Sequence, residues 1–304
     1  MRRRPLLALF MALAALSGCA SEGDGESDVE AQEGVRITVG TKLDTEAQLL
    51  GQLTAAVLED RGYKVEKKIR LGSTDLIRRA LLAGDIDLYW EFTGTGLGLL
   101  KQPPEGDPVR AYETAKRLDA ANGVTWLPAA SMNDTYALAA ADSGPVAART
   151  LTDLAAQVKA KPDLALCADP EGGFRTDVLP AVQETYGLEF TNVRQLGQPL
   201  IPPALADGQC GVGIVYSTSA LIVKHKLRVV EDDQQVFGAY TPAPTVLTER
   251  LSRWPSLADD LAGLTAALDT PTITDLNAQV EVDGKPAEDV ARDFLRSRGL
   301  LTKG

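Results

Sequence analysis

The chain is 304 residues long, with 42 acidic against 31 basic side chains and a net charge of −11 at pH 7. That balance argues against nucleic acid or an anionic surface as a partner. There is a single histidine, no second histidine or thiolate cluster supports a transition-metal site, and a Ser-His-Asp site would have to use that one histidine.

Arg2, Arg3 and Arg4 precede an apolar run from Leu6 to Leu16, too short to span a bilayer and of the length of a secretory signal. The run closes on Leu16-Ser17-Gly18-Cys19, which resembles the site where bacterial lipoproteins are acylated on cysteine and cleaved. Residues 1–18 are therefore expected to be a lipoprotein signal peptide and Cys19 a lipid anchor holding the protein to the extracytoplasmic face of a membrane. Their removal takes away three arginines and no acid, leaving a net charge of −14. "SEGDGESDVEAQEG" (21–34) has six acids and no base, so 19–35 reads as an acylated cysteine on a disordered acidic tether. With Cys19 acylated, Cys167 and Cys210 remain in an oxidising compartment, where a disulfide is the favoured reading and two buried thiols the other.

Val35, Ile37 and Val39 alternate with polar residues as a strand ending at Gly40-Thr41-Lys42. Leu49, Leu50, Leu53, Val57 and Leu58 have helical spacing over Thr45 to Arg61, with Gly62 as the stop. "YKVEKKIRL" (63–71) is a second strand, and Ser73, Thr74 and Asp75 offer caps to a helix with Leu76, Ile77, Ala80 and Leu81 on one face. "DIDLYW" is a third strand with Ile86, Leu88 and Trp90 on one face, running into a Thr/Gly loop. This strand–helix alternation predicts a parallel α/β unit.

The pattern restarts at "TYALAA" (135–140), a strand, followed by a helix over Leu151 to Lys159 and a strand at "DLALCAD" (163–169). Arg175 to Tyr186 reads as a helix despite Pro180. "NVRQL" is a strand, "IPPALADG" a short helix and "GVGIVYST" (211–218) a buried strand. The stretch from Thr245 to Leu301 is mostly helical by pattern, has no sheet of its own, and is expected to pack back on the first unit. Two α/β lobes then enclose a cleft, the usual place for a small ligand.

Catalytic signals are weak. His225 lies between Lys224 and Lys226 on a segment read as exposed, and "GTGLG" (94–98) lacks the third glycine of a dinucleotide fingerprint. Asp85, Asp87 and Glu91 border a strand, where carboxylates are usually solvated or capping. No enzyme activity, cofactor or metal is expected.

Six segments, "VGTK", "GDIDLYWEFTGT", "NDTYALA", "FRTDVLPAVQETYGLEF", "VYST" and "FGAYTPAP", occur in the order and spacing of one family. From about Arg36 to its end the chain resembles the substrate-binding proteins of ABC transporters for glycine betaine, choline, carnitine and related quaternary amines. The resemblance implies an α/β, bilobal periplasmic-binding-protein fold (type II-like), with two hinge strands and the ligand cleft between the lobes. Lobe I would be 36–133 plus 241–304, and lobe II 134–240. It also implies capture of an osmoprotectant and delivery to a membrane permease; a monomer is expected, and the charge balance above leaves no nucleic-acid partner.

By the same resemblance the ammonium sits in a box of rings, which here are Phe92, Tyr136, Tyr216 and Tyr240. A carboxylate end is held by Lys42, Thr95 and Arg175, and the backbone carbonyl of Asp134 completes the cage. The residue types suit the chemistry, because a trimethylammonium has no N–H to donate and is held by the negative faces of rings, roughly 0.5–2 kcal/mol each. Arg175 can grip a carboxylate with a two-pronged fork, while Lys42 adds a point charge. Of the aromatics in "DLYWEF", Phe92 is thus expected in the cage and Trp90, with Leu88, on the core face, while Tyr89 can be either, packing being the favoured reading. Two departures from the family pattern bear on ligand choice: Phe92 stands where tyrosine is commoner, and Thr218 is followed by Ser219-Ala220 rather than Asp-Gly. The expected ligand is zwitterionic, glycine betaine or a close analogue. Choline, another cation or an amino acid, or a sensor uncoupled from transport, are the alternatives.

Overall fold

A computed structural model describes residues 34–302. The expected signal peptide, Cys19 and almost all of the expected acidic tether lie outside the described residues.

Arg36–Lys42 (β1) is buried from Ile37 onward. Asp44 ends its loop by accepting from Ala47 N at 2.7 Å, which caps Thr45–Asp60 (α1). Lys64–Gly72 (β2) runs parallel to β1, pairing Lys64 with Arg36, and its lysines occupy the sheet edge. Ser73 caps Thr74–Ala83 (α2), and Leu88–Phe92 (β3) returns beside β1. The Thr/Gly run after β3 is not a loop: Thr93–Leu99 (α3) begins directly at the strand's end. Pro108–Asp119 (α4) starts on an Asp107 cap with proline in its first turn, and Val124–Trp126 (β4) follows.

The second sheet takes the chain from Tyr136–Ala141 (β5) through Leu151–Ala160 (α5), Leu166–Ala168 (β6), Pro170–Phe174 (α6) and Leu179–Tyr186 (α7). Val193–Gln195 (β7), Ile201–Ala206 (α8), Val212–Tyr216 (β8), Leu221–Lys224 (α9) and Leu227–Val230 (β9) complete it. Its strand order is β7-β6-β8-β5-β9, with β5 antiparallel to both neighbours. The chain then returns as Pro242–Leu247 (β10), between β3 and β4, so that the first sheet reads β2-β1-β3-β10-β4. Thr248–Leu251 (α10), Leu257–Ala267 (α11), Thr270–Glu281 (α12) and Ala287–Ser297 (α13) end the fold, the last three packing on α1.

Three further sequence expectations change. The stretch from Thr245 does begin in a sheet: Thr245, Val246 and Leu247 belong to β10, antiparallel to β3. Pro242 and Pro244 disguised it, since proline removes a ladder donor. Their carbonyls accept from Ala130 N and Leu127 N, so the N–H each lacks would have faced that connection and the pairing with β3 is kept.

The helix expected over Arg175 to Tyr186 is broken. Arg175 ends α6 in an extended conformation and α7 starts only at Leu179. Pro180 is tolerated in the first turn of a helix and not inside one, and so sets that start. Finally, Ile86 lies before β3 and packs with Tyr89, Ile77 and Leu81, whereas Leu88, Trp90 and Phe92 face the other core. Asp87 holds the chain there through its carboxylate, which accepts from Thr38 N and Arg250 Nη1.

In the second lobe Cys167 on β6 and Cys210 just before β8 form a disulfide with Cα atoms 5.8 Å apart. Both are buried among Ala139, Ile201, Leu205 and Val215.

Candidate ligand-binding cleft

The site begins with strand register. Tyr136 opens β5 and Tyr216 closes β8, and the antiparallel pairing sets them directly opposite each other. Their ring centroids are 5.1 Å apart, as cross-strand neighbours should be. Tyr240, just before β10, stands edge-on to Tyr136 at 5.5 Å. Its backbone is pinned by Asn133, whose Oδ1 accepts from Tyr240 N at 2.7 Å, and by Asp134 N, which donates to Tyr240 O. Gly94 explains the small residue in Thr93-Gly94-Thr95, because a Cβ there would fall 2.5 Å from the Tyr240 ring. Phe92 ends β3 and supplies a fourth ring to the same cavity, of about 310 Å³. Burial pushes the Tyr136, Tyr216 and Tyr240 phenols above their ordinary range, so these rings stay neutral.

All eight residues singled out from the sequence line this cavity: Lys42, Phe92, Thr95, Asp134, Tyr136, Arg175, Tyr216 and Tyr240. Their charges are arranged differently from the expectation of two free cations. Lys42 Nζ is 2.5 Å from Glu91 Oε1 and 5.4 Å from the centre of the Phe92 ring. Glu91 is fully buried, and its other oxygen accepts from Tyr89 OH. Arg175 is held by Asp177 through Nε and Nη2, while Nη1 reaches Thr95 Oγ1 at 3.1 Å. Its guanidinium carbon lies 5.8 Å from the Tyr136 ring centre. Lys42 and Arg175 are thus each matched by a carboxylate of the chain itself.

Asp134 Oδ1 accepts from Thr218 N, and burial pushes its carboxyl up to about 7. Near it, Glu46 Oε2 accepts from Thr218 Oγ1 and Asn277 Nδ2, tying α1 and α12 to the end of β8. Sequence reasoning missed Asp44, Asp169 and Glu171, which also line the cavity. Asp44 and Asp169 cap α1 and α6, and burial raises Asp169 to about 6. Glu171 Oε1 crosses the cleft to accept from Thr74 N at 3.0 Å. An acid before a helical run was readable as a cap; nothing local placed it at the cleft.

Among the described residues no group of His, Cys, Asp and Glu could hold a metal ion, and no helix is long and apolar enough to cross a membrane. Asp85, Asp87 and Glu91 form no acid–base pair: Asp87 and Glu91 are engaged as above, and Asp85 contributes its carbonyl to Lys68.

Residues 35–297 match the family model described as the substrate binding domain of ABC-type glycine betaine transport systems. The chain belongs to this family. A glycine-betaine-binding protein of Pseudomonas aeruginosa is 37% identical over 279 residues, covering 88% of this chain and 89% of that one. The glycine betaine-binding protein YehZ of Escherichia coli is 32% identical over 278 residues, with 86% and 90% covered. Among solved structures, one titled as a glycine betaine/carnitine/choline ABC transporter superposes with a TM-score of 0.69 at 26% identity, covering 88% of this chain and 98% of that one. The two α/β lobes are therefore those of a bilobal periplasmic-binding-type protein. A substrate-binding domain of the glycine betaine transport family is a solute-binding component of an ABC importer, outside the cytoplasm, and not a class of enzyme.

Proposed function

We propose that the chain captures a zwitterionic quaternary amine, glycine betaine or a close analogue, in the cleft between its lobes and delivers it to an ABC permease. One observation carries this: Tyr136, Tyr216 and Tyr240 converge on one cavity, with Phe92 lining its wall. Rings are what a cation without N–H donors requires. In this proposal lobe I is 36–133 with 241–304, lobe II is 134–240, and Lys42, Thr95, Asp134 and Arg175 are the polar contacts. Three or four rings with charge-assisted contacts supply about −8 kcal/mol, or micromolar affinity. Because the lining residues come from both lobes, ligand favours the closed form, which a permease can read. The protein is a monomer tethered through lipid on Cys19; Cys19→Ala should leave the detergent phase, and unchanged partitioning would refute the anchor.

The test is calorimetry of the purified protein against glycine betaine, carnitine, choline and proline. Saturable binding of glycine betaine at micromolar levels supports the proposal, and heat only from proline or from none of the four overturns it. A second reading, choline or another cation without a carboxylate, is favoured by the pairing of Lys42 with Glu91 and of Arg175 with Asp177.

A further inference from the structure

The break between α6 and α7 brings Asp177 against the arginine of the cleft. Arg175 leaves α6 extended, and two residues later Asp177 comes back alongside its guanidinium. Asp177 accepts from Nε at 3.0 Å and from Nη2 at 2.5 Å, taking the whole side-on fork of the arginine. Nη1 goes to Thr95 Oγ1 in the other lobe, with Glu171 Oε2 at 3.8 Å. Tyr240 OH donates to Asp177 Oδ2 at 3.4 Å, so the carboxylate also touches the ring set. The fit is close on the far side as well. A Cβ on Gly98 would lie 2.7 Å from Asp177 Oδ2, which shows the carboxylate packed against the backbone of α3. Both side chains of the pair are largely shielded, 17% and 20% exposed.

We propose that Asp177 determines how strongly this cleft prefers ligands that carry a carboxylate. It occupies the fork of Arg175 as an internal stand-in, so a ligand carboxylate must displace it or share the arginine with it. The charge of Arg175 is already compensated, and the second anion gains less than it would from an unpaired guanidinium. A ligand ending in a neutral hydroxyl meets no such competition, and its ammonium keeps the benefit of a nearby anion. The wild-type cleft therefore separates betaines from choline less sharply than its arginine alone would.

This rests on the quaternary-amine reading, and the experiment keeps the two apart. Affinities for glycine betaine and choline are measured by calorimetry for the wild type, Asp177→Asn and Gly98→Ala. Asp177→Asn keeps the shape and removes the charge, so the betaine-to-choline affinity ratio should rise about tenfold, the worth of one charge-assisted hydrogen bond. Gly98→Ala pushes the carboxylate away without deleting it and should raise the ratio in the same direction by less. Both ligands bound with an unchanged ratio would overturn the role of Asp177 and leave the quaternary-amine reading standing. A lower ratio would also overturn it, showing that Asp177 only steadies Arg175 for the ligand. Should Asp177→Asn fail to fold, the sign of the change in Gly98→Ala decides. A wild type that binds neither ligand removes both.

Discussion

Tyr136 and Tyr216 face each other across the antiparallel pair β5–β8, with ring centroids 5.1 Å apart and planes inclined by 49°. They lie at the end of the sheet where the two lobes meet, so one register choice sets two walls of the cleft. Replacing either ring by alanine should weaken quaternary-amine binding by roughly 1–2 kcal/mol, the worth of a desolvated cation–π contact. Phe92→Tyr should be tolerated. Calorimetry giving wild-type affinity in both alanine variants would place the ammonium elsewhere.

Gly94 should behave as a binding residue although it has no side chain. A methyl group there would sit 2.5–2.8 Å from three atoms of the Tyr240 ring, and a ring cannot yield as a flexible chain end does. Gly94→Ala should therefore shift Tyr240 and weaken ligand binding about tenfold, close to the value of one ring. Unaltered affinity with a folded protein would show that the ring moves freely.

Acidification should stabilise the protein. Burial lifts Asp134 to about 7 and Asp169 to about 6, and raises Glu46, which also faces Asp134. Unfolded aspartates titrate near 3.9, so between about pH 4 and pH 7 the folded chain holds more protons than the unfolded one. Stability contributed by these groups is present below that window and lost as pH rises through it. Exposed acids with lowered values, such as Glu105 at about 2, act with the opposite sign but only below about pH 4. The thermal midpoint should be higher at about pH 5.5 than at about pH 8, and Asp134→Asn should reduce the difference. A midpoint that rises toward pH 8 would contradict the assignment.

The Cys167–Cys210 bridge closes a sequence separation of 43 residues inside the second lobe. Replacing both cysteines by serine should lower the unfolding free energy by roughly 3–4 kcal/mol, read from urea titration. Mass analysis of the unreduced protein should show two hydrogens fewer than the free thiols would carry; two titratable thiols after denaturation would contradict the bridge.

What the sequence determined by itself was local or carried by spacing. Apolar periodicity, the stop at Gly62 and the cap at Ser73 were enough for β1–α1–β2–α2–β3, because those signals act within a turn or a strand. The ring positions Tyr136, Tyr216 and Tyr240 were legible only because several motifs recurred at one family's spacing, since a single tyrosine on a strand looks like any core residue. What only the tertiary structure decided was pairing. Lys42 meets Glu91 across 49 residues because β1 and β3 lie side by side, and no feature of either segment announces it. Asp177 reaches Arg175 because Pro180 delays α7 and frees residues 175–178 to turn back. β10 enters the first sheet despite two prolines because their missing donors face the β4 side and leave its pairing with β3 in place. Residue type says which side chains can hold a charge; the fold decides whether that charge is already spoken for, as it is here for Lys42 and Arg175.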